Sequence, residues 1–483
     1  MASTLTNLSW KFAERIASQM VSFVVSIVLA RILDPSDYGA IAMVMIFVTL
    51  AQVFVEGGFS SALIQKKDAD KLDFSTVFYF SILFSIILYV LLYFVAPYIS
   101  RFYGDGYEIL TPVLRVIGLQ VIVYGANSVQ QAYVSRKMMF KKFFWSTLVG
   151  TIASACVGLG MAYWGYGIWA LVGQQMTMVV INTFVLYLVT RKLPGLMFSF
   201  VRLKELFGYG ANILGASLLV SLFLDLRSLI IGKLYSAQDL ALFDRGRQFP
   251  QLLVTNINSS IGAVLFPKMS QEQDDIEQIK QTCRNSIRYS SYVMMPLMLG
   301  MCACAESFIR LLLTEKWIES VPFLRLFCII YMFYPMHNAN MQAIKAIGKS
   351  GTFLLLEIVK KTLELVCLLL VMKISVMAIA INVAVLNILF TYVNAYPNKK
   401  LLGYSFREQL SDLFPSAVLS VIMASAVYGI GLILHFSDFW VLFIQVTLGI
   451  VIYIVLSVLT KNREFKYLLS LIGRNIPTLK KVA

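Results

Sequence analysis

The chain alternates long apolar runs with short segments that are rich in charged and turn residues. A helix that crosses a membrane needs about 20 apolar residues, whereas a transmembrane strand needs roughly 9 to 11 residues of alternating polarity. Because the runs are much longer than such strands, the pattern predicts a bundle of transmembrane helices. The fourteen predicted spans are residues 16–33, 38–55, 77–98, 110–129, 143–163, 168–190, 206–231, 240–264, 286–313, 322–343, 353–372, 375–396, 414–434 and 439–459.

The composition supports an all-α integral membrane protein. Of the 483 residues, 59% are hydrophobic and 14% are charged, and the mean hydropathy is +0.76, whereas soluble domains are about 25% charged. The six cysteines and two histidines lack metal-ligand spacing, so we expect no disulfide framework, no metal site and no cofactor. The first span is followed by no cleavage site of small residues, and we expect it to stay in the mature protein.

The 41 basic residues are distributed unequally between alternate loops. When residues at span ends are assigned to the nearer loop, 28 fall on the side of the N-terminus, six fall on the other side and seven lie within spans. The positive-inside rule therefore places both termini in the cytoplasm. This bias accounts for most of the net charge of +15, so we expect no nucleic-acid partner. We interpret the basic segment from Lys461 as an amphipathic stretch on the anionic inner leaflet.

Two offsets indicate an internal repeat. An offset of 210 residues aligns Pro112, Leu114, Arg115 and Tyr124 with Pro322, Leu324, Arg325 and Tyr334, and an offset of 202 aligns Asp37, Leu63 and Lys66 with Asp239, Leu265 and Lys268. We therefore predict an N-terminal lobe over residues 1–204, a homologous C-terminal lobe over 205–404, two further spans over 405–460 and a basic amphipathic cytoplasmic tail over 461–483. Parallel repeats of this kind are a transporter architecture in which substrate binds between the halves.

Several segments resemble one family of membrane proteins. They are residues 25–39 (VSIVLARILDPSDYG), 56–65 (EGGFSSALIQ), 74–77 (FSTV), 101–105 (RFYGD), 165–171 (GYGIWAL), 230–233 (IIGK) with Asp239 beyond it, and 258–267 (NSSIGAVLFP). The chain resembles the polysaccharide exporters of the multidrug/oligosaccharidyl-lipid/polysaccharide flippase superfamily, and it is most similar to the colanic-acid and lipopolysaccharide exporter branch. The resemblance runs from about Trp10 to about Tyr404 and fades in the last two spans.

This resemblance implies a two-lobed bundle that carries undecaprenyl-pyrophosphate-linked oligosaccharides across a bacterial inner membrane by alternating access. The expected partners are that lipid-linked oligosaccharide and anionic membrane lipids, with a polysaccharide polymerase and chain-length machinery as further candidates. We expect a monomer.

Charged residues inside the spans are candidates for function because an ionised side chain at the centre of a membrane helix costs roughly 2.5 to 3.5 kcal/mol. Lys360 and Lys361 stand between Glu357 and Glu364 at helical spacings of three and four, which favours mutual neutralisation. Arg115 and Arg325 each follow a proline by three residues at the outer end of a span. Either member of that symmetric pair could reach the interface or contact substrate.

The seventh and eighth spans carry an excess of positive charge. Asp225 and Arg227 lie in the seventh span, and Asp244, Arg245 and Arg247 lie in the eighth, where Asp244 can pair with Arg247 at a spacing of three. Three arginines thus face two aspartates, and the planar fork of arginine suits a pyrophosphate.

In the resembled family the first, second, seventh and eighth spans line the central cavity, and cationic residues there hold phosphates. Carried over by position, the candidates are Arg15, Arg31, Arg227, Arg245 and Arg247. Three acidic residues, Asp225, Asp244 and Glu56, are candidates for a coupling or ion-pair role. Polar residues inside spans, such as Asn256, Asn340 and Gln342, could bind sugar or join helices, and the aromatic run 163–169 favours the interfacial belt.

Three other functions remain open: an enzyme of the same pathway, an antiporter of the same superfamily, and a scramblase or passive pore, which the absence of coupling to a gradient would distinguish. A membrane polysaccharide polymerase or acyltransferase would need converging catalytic groups, but His337 and His435 lie in a span and in a short outer loop without a partner motif. A drug or metabolite antiporter of the same superfamily would favour an acidic cavity, whereas the excess charge here is positive.

Overall fold

The computed structural model describes residues 2–56, 58–66, 68–190, 195–272 and 275–475, and these residues form helices without any strand. The helices up to the middle of the chain are α1 (Ala2–Ile32), α2 (Pro35–Glu56), α3 (Phe59–Gln65), α4 (Lys71–Tyr103), α5 (Leu110–Arg136), α6 (Phe140–Tyr163), α7 (Ile168–Thr190), α8 (Phe200–Leu234) and α9 (Ala237–Gln271). Those that follow are α10 (Ile276–Ala303), α11 (Ala305–Leu313), a 3-10 helix (Glu315–Ser320), α12 (Val321–Tyr331), α13 (Tyr334–Ala346), α14 (Ser350–Val371), α15 (Val376–Leu401), α16 (Phe406–Ile433), α17 (Asp438–Leu459) and α18 (Arg463–Asn475).

The predicted helical membrane fold is confirmed. Ten helices of the described residues are long and apolar enough to cross a membrane, or eleven if α10 and α11, which meet at 72°, form one bent span. The three remaining predicted spans coincide with α8, α9 and α14, which are 35, 35 and 22 residues long. Each is long enough to cross, and fourteen as the number of spans stays a prediction.

Apolar residues cover the outer faces of the long helices. On α4, Leu83, Ile87 and Leu91 recur at a spacing of four and are 59%, 54% and 57% exposed. On α17, Ile450 and Ile454 follow the same spacing and are also exposed. Soluble proteins rarely expose continuous apolar faces, so these surfaces contact lipid and the chain is a multi-pass membrane protein.

The chain forms two compact units, of which the first is Met1–Ala241. In this unit α2 packs against α5 and α8, α4 packs against α5, and α6 packs against α1 and α7. A Cβ at Gly39 would lie 1.7 Å from the carbonyl oxygen of Ala237, so glycine is required where the start of α2 meets the start of α9. The short helix α3 lies between the predicted spans 38–55 and 77–98, where the sequence pattern predicts no helix.

The second unit is Leu242–Ala483. In it α16 packs against α10 and α17, and α13 packs against α10 and α15. The basic segment from Lys461, which is predicted to be amphipathic, forms α18. Two side-chain contacts join α18 to α10. Arg288 Nη2 lies 2.5 Å from Glu464 Oε1, and the rings of Tyr289 and Tyr467 stack at 4.2 Å. The position of α18 on a membrane leaflet stays a prediction, as do the boundaries of the two predicted lobes.

Candidate substrate-binding site

The expected ion pair of α9 is present. Arg247 Nη2 donates to Asp244 Oδ1 at 2.9 Å, one turn apart on the helix, and both side chains are partly exposed, at 27% and 28%. This partial exposure leaves room for another acceptor to approach the guanidinium. A phosphate oxygen can therefore compete with Asp244 for the same N–H groups.

Arg245 projects into the interior of the second unit and is only 5% exposed. Its guanidinium carbon lies 5.0 Å from the ring centre of the fully buried Trp317, and its Nη1 donates to Gln248 Oε1 at 2.7 Å. Stacking on an indole stabilises a desolvated cation by about 2 kcal/mol. The structure thus gives Arg245 a packing role that the sequence pattern did not indicate, because Trp317 is distant in sequence.

Gly246 explains why the two arginines differ in exposure. A Cβ at this position would lie 2.5 Å from Phe323 Cβ and 2.8 Å from the Leu324 backbone nitrogen. The backbone of α9 therefore lies directly on α12, and this contact fixes the rotation of α9. Consequently Arg245 is buried in the second unit while Arg247 remains accessible.

Asp225 and Arg227 of α8 belong to the first unit and are half-buried. Ser221, one turn earlier, lies with its Oγ 3.4 Å from Asp225 Oδ2, where the hydroxyl can donate to the carboxylate. Both residues lie on the helix that corresponds to the seventh predicted span. Their participation in one site with α9 stays a prediction.

The candidates of α1 and α2 lie at helix ends or on exposed faces. Arg15 is exposed on α1, and Arg31 lies exposed in the last turn of that helix, where a cation favours the helix dipole. Glu56 ends α2 and accepts a hydrogen bond from Gln52 Nε2 at 2.9 Å. The geometry accounts for these positions structurally, and their role in substrate binding remains a prediction.

Arg115 and Arg325 have comparable partners. The guanidinium of Arg115 lies 4.1 Å from the ring centre of Tyr93, and that of Arg325 lies 5.6 Å from the ring centre of Tyr428. Arg325 Nη2 also lies 3.0 Å from Glu306 Oε1. These contacts fit residues that anchor the outer ends of helices, which supports the interfacial alternative for the pair.

The four charged residues of α14 neutralise one another. Lys360 Nζ lies 2.6 Å from Glu357 Oε1, and Lys361 Nζ lies 2.9 Å from Glu364 Oε2. The predicted ion pairing at a spacing of three is therefore confirmed for both pairs.

Polar residues inside the second unit mainly join helices. Asn340 and Gln409 are fully buried, and Asn340 Nδ2 donates to Gln409 Oε1 at 2.8 Å. Asn398 Nδ2 donates to Asn340 Oδ1 at 2.6 Å. The His337 ring nitrogens lie 3.0 Å from Thr391 Oγ1 and 2.8 Å from Asn394 Nδ2. The sequence did not indicate this role for Asn398 and Gln409. They lie on α15 and α16, whereas Asn340 lies on α13, and no helical spacing relates residues on different helices.

In the described part of the chain, no three His, Cys, Asp or Glu residues are grouped so that they could hold a metal ion. The aromatic run after α6 is exposed, with Tyr163 at 71% and Trp164 at 79%. That exposure suits an interfacial belt.

Known proteins share both sequence and fold with this chain. The sequence profile of the family described as "Polysaccharide biosynthesis protein" matches residues 28–322. The succinoglycan biosynthesis transport protein ExoT of Rhizobium meliloti is 23% identical over 67% of this chain and 66% of that protein. The lipopolysaccharide biosynthesis protein WzxC of Escherichia coli is 21% identical over 89% of this chain and 88% of that protein. The lipid II flippase MurJ, in an inward closed conformation, has a TM-score of 0.76 with 14% identity, over 94% of this chain and 99% of that structure.

Proposed function

Because the chain belongs to the polysaccharide biosynthesis protein family, we propose that it is a flippase that moves undecaprenyl-pyrophosphate-linked oligosaccharides across the bacterial inner membrane. Its relatives are transport and flippase proteins, and the chain is a transporter rather than an enzyme. The cargo would supply surface polysaccharide assembly, such as O-antigen, capsule or exopolysaccharide.

The charge of α9 carries this proposal. Within four residues, one carboxylate and two guanidinium groups lie on a helix that is predicted to cross the membrane. Charged side chains inside a membrane span cost free energy and commonly mark substrate or ion sites, and the excess of arginine here suits an anionic substrate. A pyrophosphate is dianionic or more and offers several acceptor oxygens, and arginine can bind two of them at once.

Arg247 is the residue that we propose binds the pyrophosphate directly. Its pair with Asp244 keeps the guanidinium oriented and neutralised while no cargo is bound. When the pyrophosphate arrives, its oxygens replace part of the contact with Asp244. Arg245 would hold the helix in register through Trp317 and add positive potential, and Arg227 of α8 would contribute a further cation.

We propose that transport proceeds by alternating access between the two predicted lobes, residues 1–204 and 205–404. The support is the repeated pattern along the chain, which pairs six-span units in the same orientation. Cysteine crosslinks across the outer ends of α1 and α8 would test this step. We expect a completed crosslink to stop transport while the protein stays folded; full transport with the crosslink closed would contradict alternating access.

The orientation of the chain in the membrane can be tested separately. We propose cytoplasmic termini because basic residues favour one set of loops. Lys400 is exposed at the end of α15, so a Lys400→Cys variant in a cysteine-free background should react with a membrane-impermeant maleimide only after the membrane is opened. Labelling in intact cells would reverse the assigned orientation.

The direct test of transport is a reconstituted assay. The purified protein is placed in vesicles that carry a fluorescent polyprenyl-pyrophosphate oligosaccharide in both leaflets, and an impermeant reductant reports the fraction that crosses. We expect movement well above that of vesicles without protein, and a strong reduction with Arg247→Ala. Equal movement with and without the protein would contradict the proposed function.

A further inference from the structure

A cavity of about 490 Å³ lies within the first unit. It is enclosed by the start of α4, the last turns of α5 and Gly195 of the segment before α8. In the sequence these helix ends adjoin the loops that carry the excess of basic residues. A lipid headgroup would therefore reach the cavity from the membrane surface.

Part of the cavity wall is apolar. Phe74 and Tyr133 contact each other edge to face, with ring centres 5.7 Å apart, and Val129 and Ala69 extend the same surface. Apolar walls with a few polar groups are typical of small-molecule sites. Here they suit the upper methylenes and glycerol of a lipid better than a fully hydrated ion.

The rim is basic. Lys71 and Lys137 are exposed, and neither forms an ion pair with any residue that the structure describes. Arg136 also lines the cavity, although its Nη1 donates to the Leu63 carbonyl at 2.7 Å and to the Lys66 carbonyl at the end of α3. Three cations and one carboxylate, Asp70, thus line the cavity.

Asp70 does not cancel this charge. Its Oδ1 accepts a hydrogen bond from the Asp73 backbone N–H at 2.9 Å, which holds the pKa of Asp70 below its ordinary value and keeps it ionised at neutral pH. That hydrogen bond turns the carboxylate toward the helix backbone. Lys71 and Lys137 are therefore available to bind an external anion.

Ser75 adds a polar group at the base of the cavity. The residue is 1% exposed, and its Oγ has no hydrogen-bond partner among the described residues. A buried hydroxyl without a partner is costly, and a hydroxyl can donate to a phosphate oxygen. The neighbouring Thr76 differs, because its Oγ1 accepts a hydrogen bond from the Ser199 backbone N–H at 3.1 Å.

Two other basic residues of the first unit, Lys66 and Arg202, are neutralised by carboxylates. Lys66 Nζ lies 2.8 Å from the buried Asp73 Oδ1 and 3.7 Å from Glu205, and Arg202 lies within 4.0 Å of both carboxylates. Among the residues that the structure describes, Lys71 and Lys137 lack such partners. We propose that the cavity binds the phosphate headgroup of an anionic membrane lipid, with Lys71 and Lys137 on the phosphate and Ser75 below it.

Native mass spectrometry of the full-length protein in detergent tests this site without any transport measurement. Dioleoylphosphatidylglycerol is titrated against dioleoylphosphatidylcholine for the wild type, for Lys71→Ala/Lys137→Ala and for the matched control Lys399→Ala/Lys400→Ala. The control removes two exposed lysines at the end of α15 in the second unit. A third variant, Gly195→Leu, fills the cavity next to Ser75 without changing charge, and size-exclusion chromatography verifies that each variant folds.

We expect the wild type to prefer the anionic lipid, and Lys71→Ala/Lys137→Ala to lower that affinity at least tenfold, since each basic residue near an anionic surface contributes about fivefold. Gly195→Leu should also weaken binding, and Lys399→Ala/Lys400→Ala should not. Equal affinity for the two lipids, or a preference that survives both cavity variants, would overturn the proposal. So would lysine-dependent binding of inorganic phosphate without binding of the lipid.

Discussion

Two helices of the second unit, α9 and α14, each carry a charged cluster within a predicted span, and the two clusters are balanced differently. In α14 two lysines and two glutamates form two ion pairs at 2.6 Å and 2.9 Å. In α9 one aspartate pairs with Arg247 at 2.9 Å, while Arg245 stacks on Trp317. The α14 set sums to no net charge, and the α9 set leaves one positive charge.

The comparison separates charges that stabilise a helix from charges that can bind a ligand. Paired groups in a membrane satisfy each other and have little left for an external ion. Arg247 is paired as well, but its planar fork carries more N–H donors than the contact with Asp244 uses, and these donors can bind an anion. We therefore assign α14 to structure and α9 to the phosphate of the cargo, and the following changes sharpen or break that division.

The largest effect is expected on the stability of the protein, when an ion pair of α14 is broken. Lys360→Ala leaves Glu357 without its partner inside a predicted span, where an unpaired charge costs roughly 2.5 to 3.5 kcal/mol. We expect a clear fall in the melting temperature of the detergent-solubilised protein. Glu357→Gln/Lys360→Gln removes both charges and should recover most of the stability and all of the transport. Loss of transport in that stable double variant would give α14 a functional role.

The next largest effect is expected on transport, when Arg247 of α9 is replaced. Arg247→Ala removes a charge-assisted contact worth roughly 1.5 to 3 kcal/mol, which is about one to two orders of magnitude in affinity. Arg247→Lys keeps the charge but loses the bidentate fork, so its defect should be smaller. Initial transport rates in vesicles, measured at several cargo concentrations, give the defect of each of the two variants. Equal rates for all three proteins would remove Arg247 from the site.

A smaller effect is expected where Arg245 meets Trp317. Trp317→Phe keeps an aromatic ring but weakens the cation–π contact, which should cost about 1 kcal/mol of stability. A double-mutant cycle with Arg245→Met isolates the coupling between the two side chains. Additive effects of the two changes would mean that the stacking contributes nothing.

The smallest effect is expected for the symmetric pair at the outer helix ends. Arg115→Lys and Arg325→Lys should change the transport rate by less than about twofold, because each change keeps the charge and the aromatic contacts at these helix ends contribute only about 0.5 to 1 kcal/mol. A defect as large as that of Arg247→Ala in either variant would restore that arginine to the substrate site.

The sequence predicts what depends on helical spacing and misses what depends on packing between distant segments. The pairs in α14 and the pair of Asp244 with Arg247 were predictable because side chains three residues apart share a helix face. The contact of Arg245 with Trp317 was not, since the bent α10–α11 pair and a 3-10 helix decide which aromatic ring faces α9. The apolar pattern likewise predicted every long helix but not α3, whose seven residues are too few to show a period.

The most direct test of the central claim is the affinity of the purified protein for a polyprenyl pyrophosphate. It is measured by displacement of a fluorescent analogue from the wild type, from Asp244→Asn/Arg247→Gln in α9 and from Glu357→Gln/Lys360→Gln in α14. Both double variants remove one ion pair without changing net charge, so they differ only in which pair is lost. We predict that the α9 variant binds at least about tenfold more weakly, by loss of one charge-assisted contact, and that the α14 variant binds like the wild type. Equal affinity in all three proteins would contradict the assignment of the pyrophosphate to Arg247.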